Sequence, residues 1–252
     1  MSVVYDLAGW NALVTGSTKG IGLATAQLLG ASGARVLVHG SDQARCDDVA
    51  NAIPGSLGVA GDLADLSARD DLCDRILTAC GGRLDVLVHN ASVFPQGTIE
   101  SQTVDEFERV LAINVDAVYH LTKRLLPVIL RAPHPAVVIV SSAVFRMGLA
   151  DSPAYAASKA AQVGLTRHLA AELGPRGVRV NCVLPGLVDT PGTRGVRGGD
   201  ESYVEFAQER QMLKICLQPE DIAHGIVFLC TPAAQAVTAA SLDMNGGSVV
   251  GG

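Results

Sequence analysis

Aromatic side chains are scarce in this chain, at 4% of residues with a single Trp. Its core must therefore rest on Val, Ile, Leu and Ala, within an apolar share of 48%. Charge is sparse too, at 17%, which excludes a disordered or tail-like protein. Basic residues are outnumbered 19 to 25, and the net charge of −6 argues against nucleic acid as a partner, since a polyanion needs clustered Lys and Arg. No apolar run, Pro135–Val140 included, approaches the roughly 18 residues that span a bilayer. The opening Met1–Asp6 has no basic segment followed by an apolar one, so a cytoplasmic protein is expected. Six cysteines (46, 73, 80, 182, 216, 230) form no CxxC and no zinc spacing; they are expected to be reduced, structural thiols. The six histidines show no metal spacing either.

What the chain does have is glycine, 27 residues of it, and a regular alternation of short apolar runs with helical patterns. Strands are expected at Ala12–Thr15, Arg35–His39, Leu57–Ala60, Val86–His89, Val137–Ser141, Arg179–Leu184 and near Ser241–Asp243. Helices are expected near Ile21–Ala31, Gln43–Ala52, Ala68–Cys80, Val104–Leu130, Ala154–Leu173 and Pro219–Cys230. This order predicts an α/β protein: one doubly wound (Rossmann) domain over residues 1–252, with a mostly parallel seven-stranded sheet and helices on both faces. Ligands of such sheets bind at the carboxyl ends of the strands, where the strand order reverses. The irregular stretch from Gly186 onward, rich in Gly, Pro and Arg, is expected to form a substrate loop or lid over 186–215.

Two motifs carry chemistry. Thr15-Gly-Ser-Thr-Lys-Gly-Ile-Gly22 follows a strand and opens a helix, the setting of a phosphate-binding turn. Gly16 permits the turn, Gly20 lets backbone approach a pyrophosphate, and Gly22 allows the helix to pack on the strand. In Tyr155-Ala-Ala-Ser-Lys159 the two functional side chains lie four apart on one helix face. A cation beside the phenol favours its ionised form and makes Tyr a usable acid or base.

With these stand His89-Asn90-Ala91-Ser92 closing a strand, Asn114 in Ile-Asn-Val, Ser142 thirteen residues before Tyr155, and Pro185-Gly186. In that order and spacing the chain resembles, over essentially its whole length, the classical short-chain dehydrogenases/reductases. The resemblance implies hydride transfer between a nicotinamide cofactor and a carbonyl or secondary alcohol. Tyr155 would be the acid/base, Ser142 would position the reacting oxygen, and Lys159 would bind the nicotinamide ribose and depress the Tyr155 pKa. Asn114 would hold a helix irregularity and a water that extends the proton relay. Gly16, Ser17, Thr18, Lys19, Gly20, Ile21 and Gly22 would surround pyrophosphate and adenosine ribose. Asp62 and Leu63 would meet the adenine, Asn90 and Ala91 would line the cofactor, and Val188 and Thr190, after Pro185-Gly186, would face the nicotinamide amide. A same-fold dehydratase or epimerase, which leaves the cofactor unchanged on balance, and a non-catalytic dinucleotide-binding regulator, which would lose Tyr, Lys or Ser, are the alternatives.

Position 92 departs from the resemblance, with Ser where the family shows Gly; a need for positive φ there would strain it by about 1 kcal/mol or more. Gly40 stands where an NAD-selecting acid would be and Ser41 where an Arg would be, so Lys19 and Ser41 favour NADP over NAD; Asp42 reads as a helix N-cap. Phe94, Gln96, Val144, Leu149, Ser152, Leu187 and a helix around Tyr203–Met212 are candidate substrate contacts, and Arg194 and Arg197 candidate anion contacts. Small residues Ala157, Ala161 and Gly164 on one helix face, with the resemblance, predict a homotetramer or homodimer.

Overall fold

The computed structural model describes residues 5–196 and 202–249. Seven strands form, each within one residue of its expected bounds: β1 Asn11–Val14, β2 Arg35–Gly40, β3 Leu57–Ala60, β4 Val86–His89, β5 Ala136–Val140, β6 Arg179–Pro185 and β7 Ser241–Met244. All pair in parallel in the order β3-β2-β1-β4-β5-β6-β7, so the winding reverses between β1 and β4. Parallel strands are buried on both faces, which is why their residues are apolar without polar alternation.

Successive strand residues feed two separate cores. Leu13, Leu37, Leu87, Val137 and Val180 pack on one face with Leu72 and Ile76 of α3 (Leu66–Ala79), Leu121 and Leu125 of α5 (Ala117–Ile129), and Leu169 and Leu173 of α6 (Pro153–Leu173). Val14, Val36, Val38, Val88 and Val138 pack on the other with Leu29 of α1 (Gly20–Ala31), Ala50 of α2 (Gln43–Asn51) and Ile222 and Ile226 of α9 (Pro219–Cys230).

Local caps set several boundaries. The Asp42 carboxylate accepts from Arg45 N at 2.8 Å and opens α2. Asp65 accepts from Ala68 N at 2.7 Å, so α3 starts two residues earlier than the apolar pattern indicates. The long helix expected over Val104–Leu130 is not continuous. A capping box between Thr103 and Glu106 opens α4 (Val104–Leu111), a π-helical turn occupies Ala112–Asp116, and α5 follows. Such a turn sits within a helix without ending it, so the sequence pattern reads across it as one helix. Among the described residues of the stretch 186–215 lie two helices, α7 Pro191–Val196 and α8 Ser202–Arg210. Arg197 lies outside the described residues.

Candidate active site

The glycine turn leaves the end of β1 with Gly16 at φ +64° and Gly20 at φ +55°, backbone that favours glycine. A Cβ on Gly16 would lie 2.8 Å from Ala91 Cα. Gly22 is crowded by Gly16 O and Asn90 Nδ2, so only a hydrogen fits between α1 and the strand ends. His39 fastens the turn: its Nδ1 accepts from Gly16 N at 3.1 Å, so the proton sits on Nε2, which donates to Gly61 O at 3.2 Å. Burial pushes its pKa down to about 4 and keeps it neutral. Asn90 joins the two middle strands, its amide donating to Thr15 O at 2.9 Å and Gly16 O at 3.0 Å.

The carboxyl ends of β1 to β6 enclose a cleft of about 480 Å³. Gly16, Thr18, Lys19, Gly20 and Ile21 line it from the turn, Gly40 and Ser41 from β2, Asp62 and Leu63 from β3, and Asn90 and Ala91 from β4. Ser142, Tyr155, Lys159, Pro185, Gly186, Val188 and Thr190 complete the set on the other side. Three expected residues do not line it. Ser17 is buried, its Oγ donating to Val14 O at 2.7 Å and accepting from His39 N. Gly22 lies behind the turn, and Asn114 is fully buried beneath the floor.

The residues of this cleft fit a dinucleotide. Helix α1 has no side-chain cap at Lys19, so its first N–H groups and the positive end of its dipole meet the cleft where phosphates would lie. The buried Ser92 Oγ, also in the lining, has no hydrogen-bond partner among the described residues. Ser92 carries no strain, because Ala239 alone among the described non-glycine residues has positive φ. Asp42 is engaged as the α2 cap, while Ser41 and Lys19 are exposed. Asp62 Oδ1 accepts from Ala64 N at 2.8 Å, forming a tight turn beside the cleft.

Ser142 and Tyr155 line the same cleft, and the Lys159 ammonium lies 5.3 Å from the Tyr155 ring centre. Burial dominates both groups. It pushes the phenol up to about 12, against the smaller lowering influence of the Ser142 hydroxyl, and Lys159 down to about 7. The expected lowering of the Tyr155 pKa is thus absent from the protein by itself. Burial is the cause: it also leaves Lys159, whose Nζ donates to Val140 O at 2.8 Å and Gln162 Oε1 at 3.2 Å, uncharged at the pH where the phenol would ionise. Asn114 sits in the π turn, with Oδ1 accepting from Val93 N and Nδ2 donating to Val93 O and Ser158 Oγ, each at 3.0 Å.

On the substrate side, the Phe94 ring lies 5.7 Å from that of Tyr155, tilted by 52°, and Gln96, Val144, Leu149, Ser152 and Leu187 line the cleft as expected. From α8, Phe206, Ala207 and Arg210 reach it; nothing is described of the Tyr203 side chain. Met147, Asp151 and Arg109 join the lining unannounced, since no local pattern marks residues that converge from separate loops. Arg194 is committed elsewhere, in a two-pronged pair with Asp189 at 2.6 Å.

A family model described as enoyl-(acyl carrier protein) reductase matches residues 16–248. The human protein named dehydrogenase/reductase SDR family member 4 is 37% identical over 96% of this chain and 88% of its own. The 3-oxoacyl-(acyl-carrier-protein) reductase of Thermotoga maritima is 30% identical over 97% and 99%. A solved structure named as an NAD(P)-dependent gluconate 5-dehydrogenase from Beutenbergia cavernae, with NADP at low occupancy, superposes with a TM-score of 0.88 at 35% identity, over 96% of this chain and 98% of that one. The fold and the match over nearly the whole chain define an NAD(P)-dependent oxidoreductase. This chain belongs to the short-chain dehydrogenase/reductase family.

Proposed function

We propose that this protein interconverts a carbonyl and a secondary alcohol, with Tyr155 exchanging the proton at the substrate oxygen. NADP or NAD, when bound, supplies or accepts the hydride. The observation that carries the proposal is the convergence of Ser142, Tyr155 and Lys159 on one cleft where the sheet order reverses, with the Lys159 ammonium 5.3 Å from the Tyr155 ring centre. Ser142 Oγ holds the oxygen, and the phenol, held protonated by burial, donates to it in reduction. Lys159 steadies the phenolate that forms and reaches toward the nicotinamide ribose, while Asn114 fixes the π turn behind both. Asn90 and Ala91, Thr18 to Ile21, Asp62 and Leu63, and Pro185, Gly186, Val188 and Thr190 hold the cofactor from their positions around the cleft.

NADP is the preferred cofactor in this proposal. No acid stands at Gly40, Lys19 places a cation at the turn, and Ser41 offers a hydroxyl. The substrate pocket is mixed: Phe94, Leu149 and Leu187 give it apolar walls, and Gln96 and Ser152 polar ones. Residues 1–252 act as one domain, with 186–215 closing over the substrate, in a cytoplasmic homotetramer. The chain has no helix among the described residues able to cross a membrane.

The test is a panel of carbonyls and alcohols with purified protein, following absorbance of the reduced nicotinamide with each cofactor. Turnover with net cofactor oxidation or reduction is expected. A product formed with no net change in cofactor would assign dehydratase or epimerase chemistry instead, and binding of cofactor without any turnover a regulatory role.

A further inference from the structure

Behind the Tyr155–Lys159 pair lies a fully buried side chain that the reaction as proposed leaves without a role. Gln162 follows Lys159 by three residues on α6, so both project on one helix face, and each is 1% exposed. Its Oε1 accepts from Lys159 Nζ at 3.2 Å, and its Nε2 donates to the main-chain Asn114 O at 2.6 Å. That carbonyl belongs to the π turn of Ala112–Asp116.

We propose that Gln162 is a positioning residue, whose carboxamide clamps the Lys159 ammonium to the π turn at Asn114 and helps to keep it charged inside the protein. The proposal rests on the dehydrogenase function above, which it deepens. Hydrogen bonds to a buried cation stabilise its charged form. Val140 O and Gln162 Oε1 are the acceptors that offset the burial penalty, which brings Lys159 down to about 7. The other titratable groups that face Lys159 are Tyr155 on its own helix and the Cys182 thiol on β6, which burial holds protonated. From β5 and the π turn, Val140 O and Asn114 carry no titrating proton. A carboxamide neither gives nor takes a proton near neutrality. Gln162 therefore ties Lys159 to Asn114 without conducting protons between them, at the place where an exchangeable water was expected.

The chain has four lysines (19, 123, 159 and 214), so lysine-selective carbon-13 labelling resolves each ε-carbon in a pH titration of the cofactor-free protein. Lys159→Met identifies the Lys159 signal. Gln162→Met, close in volume, should lower the Lys159 midpoint by about one unit, as loss of a hydrogen bond to a charged group requires. Gln162→Glu keeps an acceptor oxygen in place and should not lower it. An unmoved midpoint in Gln162→Met, or an equal fall in both variants, overturns the proposal. Should Gln162→Met not fold, Gln162→Leu replaces it. In the wild type, the Gln162 side-chain amide should also resist hydrogen exchange, and rapid exchange would overturn the bond to Asn114. In turnover, Gln162→Met should move the pH limb of alcohol oxidation upward, because the phenolate loses part of its cation. A wild type that shows the midpoint dependence but oxidises no alcohol would overturn the dehydrogenase function and leave the clamp standing.

Discussion

Lys159 lies 5.3 Å from the centre of the Tyr155 ring, yet its donated hydrogen bonds run to Val140 and Gln162. The phenol keeps its proton in the free protein and is ready to donate it. Tyr155→Phe removes that proton while leaving the ring against Phe94. Turnover should fall by about 10²–10⁴-fold with cofactor binding retained. A Phe variant with wild-type turnover, measured where chemistry limits the rate, would defeat the role assigned to Tyr155.

Lys159 also sets a pH dependence of stability. Its pKa is lowered from 10.5 to about 7, so between these values the unfolded chain holds a proton that the folded protein lacks. Stability should therefore rise with pH across this window. Tyr155, raised from 10.0 to about 12, acts in the opposite direction and only above pH 10, where the folded state holds the extra proton. Urea unfolding at about pH 7.5 and 9.5 should show the wild type gaining more stability than Lys159→Met. Equal gains would show that Lys159 is not perturbed as described.

His39 must be neutral to accept from Gly16, and its pKa falls from 6.5 to about 4 on burial. As pH drops through this range the unfolded state takes up a proton first, and stability should decline. The decline should be shallower in His39→Leu, with His89, pushed to about 3 by burial, accounting for part of what remains. The same variant should bind cofactor more weakly, because the glycine turn loses a tether. Calorimetric titration against either nucleotide checks this, and an unchanged affinity would show that the turn holds its shape alone.

Cofactor choice is best tested beside Gly40 rather than at it. A Cβ there would lie 2.8 Å from Thr18 Cγ2 and 3.1 Å from Cys46 Sγ, so Gly40→Asp mixes crowding with charge. Lys19 and Ser41 are exposed and free of that conflict. Lys19→Ala and Ser41→Asp should each shift the ratio of kcat/KM for NADP over NAD toward NAD by about tenfold, or ~1.4 kcal/mol. A wild type that already prefers NAD tenfold would reverse the assignment.

Assembly has its own test. Ala157, Ala161 and Gly164 are exposed along α6, and a Cβ added at Gly164 meets open space within the chain. A large charged side chain there would be harmless in a monomer and disruptive against a second helix. Light scattering should give a tetramer for the wild type and a smaller species for Gly164→Arg. A wild type that is monomeric throughout a dilution series would refute the assembly.

Much of the site was legible because its signals are local. Gly16 and Gly20 announce left-handed turns, Asp42 announces a cap, and Tyr155 and Lys159 share a face by helical spacing alone. Arg194 was not, since a loop arginine gives no sign that Asp189 five residues earlier will take both its prongs. Nor was Ser92, whose hydroxyl sits in the cleft at an ordinary φ where strain was a concern.

The sequence by itself determined the seven strands, the direction of their packing and the order of the site motifs, because β-branched runs, caps and glycine turns act over a few residues. Tertiary structure decided what depends on contacts between distant segments. The helix irregularity that the resemblance placed at Asn114 forms as a π turn, and tertiary contacts of its side chain with Val93 and Ser158 hold it there. His39 becomes the tether of a turn 23 residues away in sequence, since β2 lies beside β1. Lys159 faces the phenol but bonds Val140 and Gln162, because in a buried site a charge goes to the acceptors that packing has already placed.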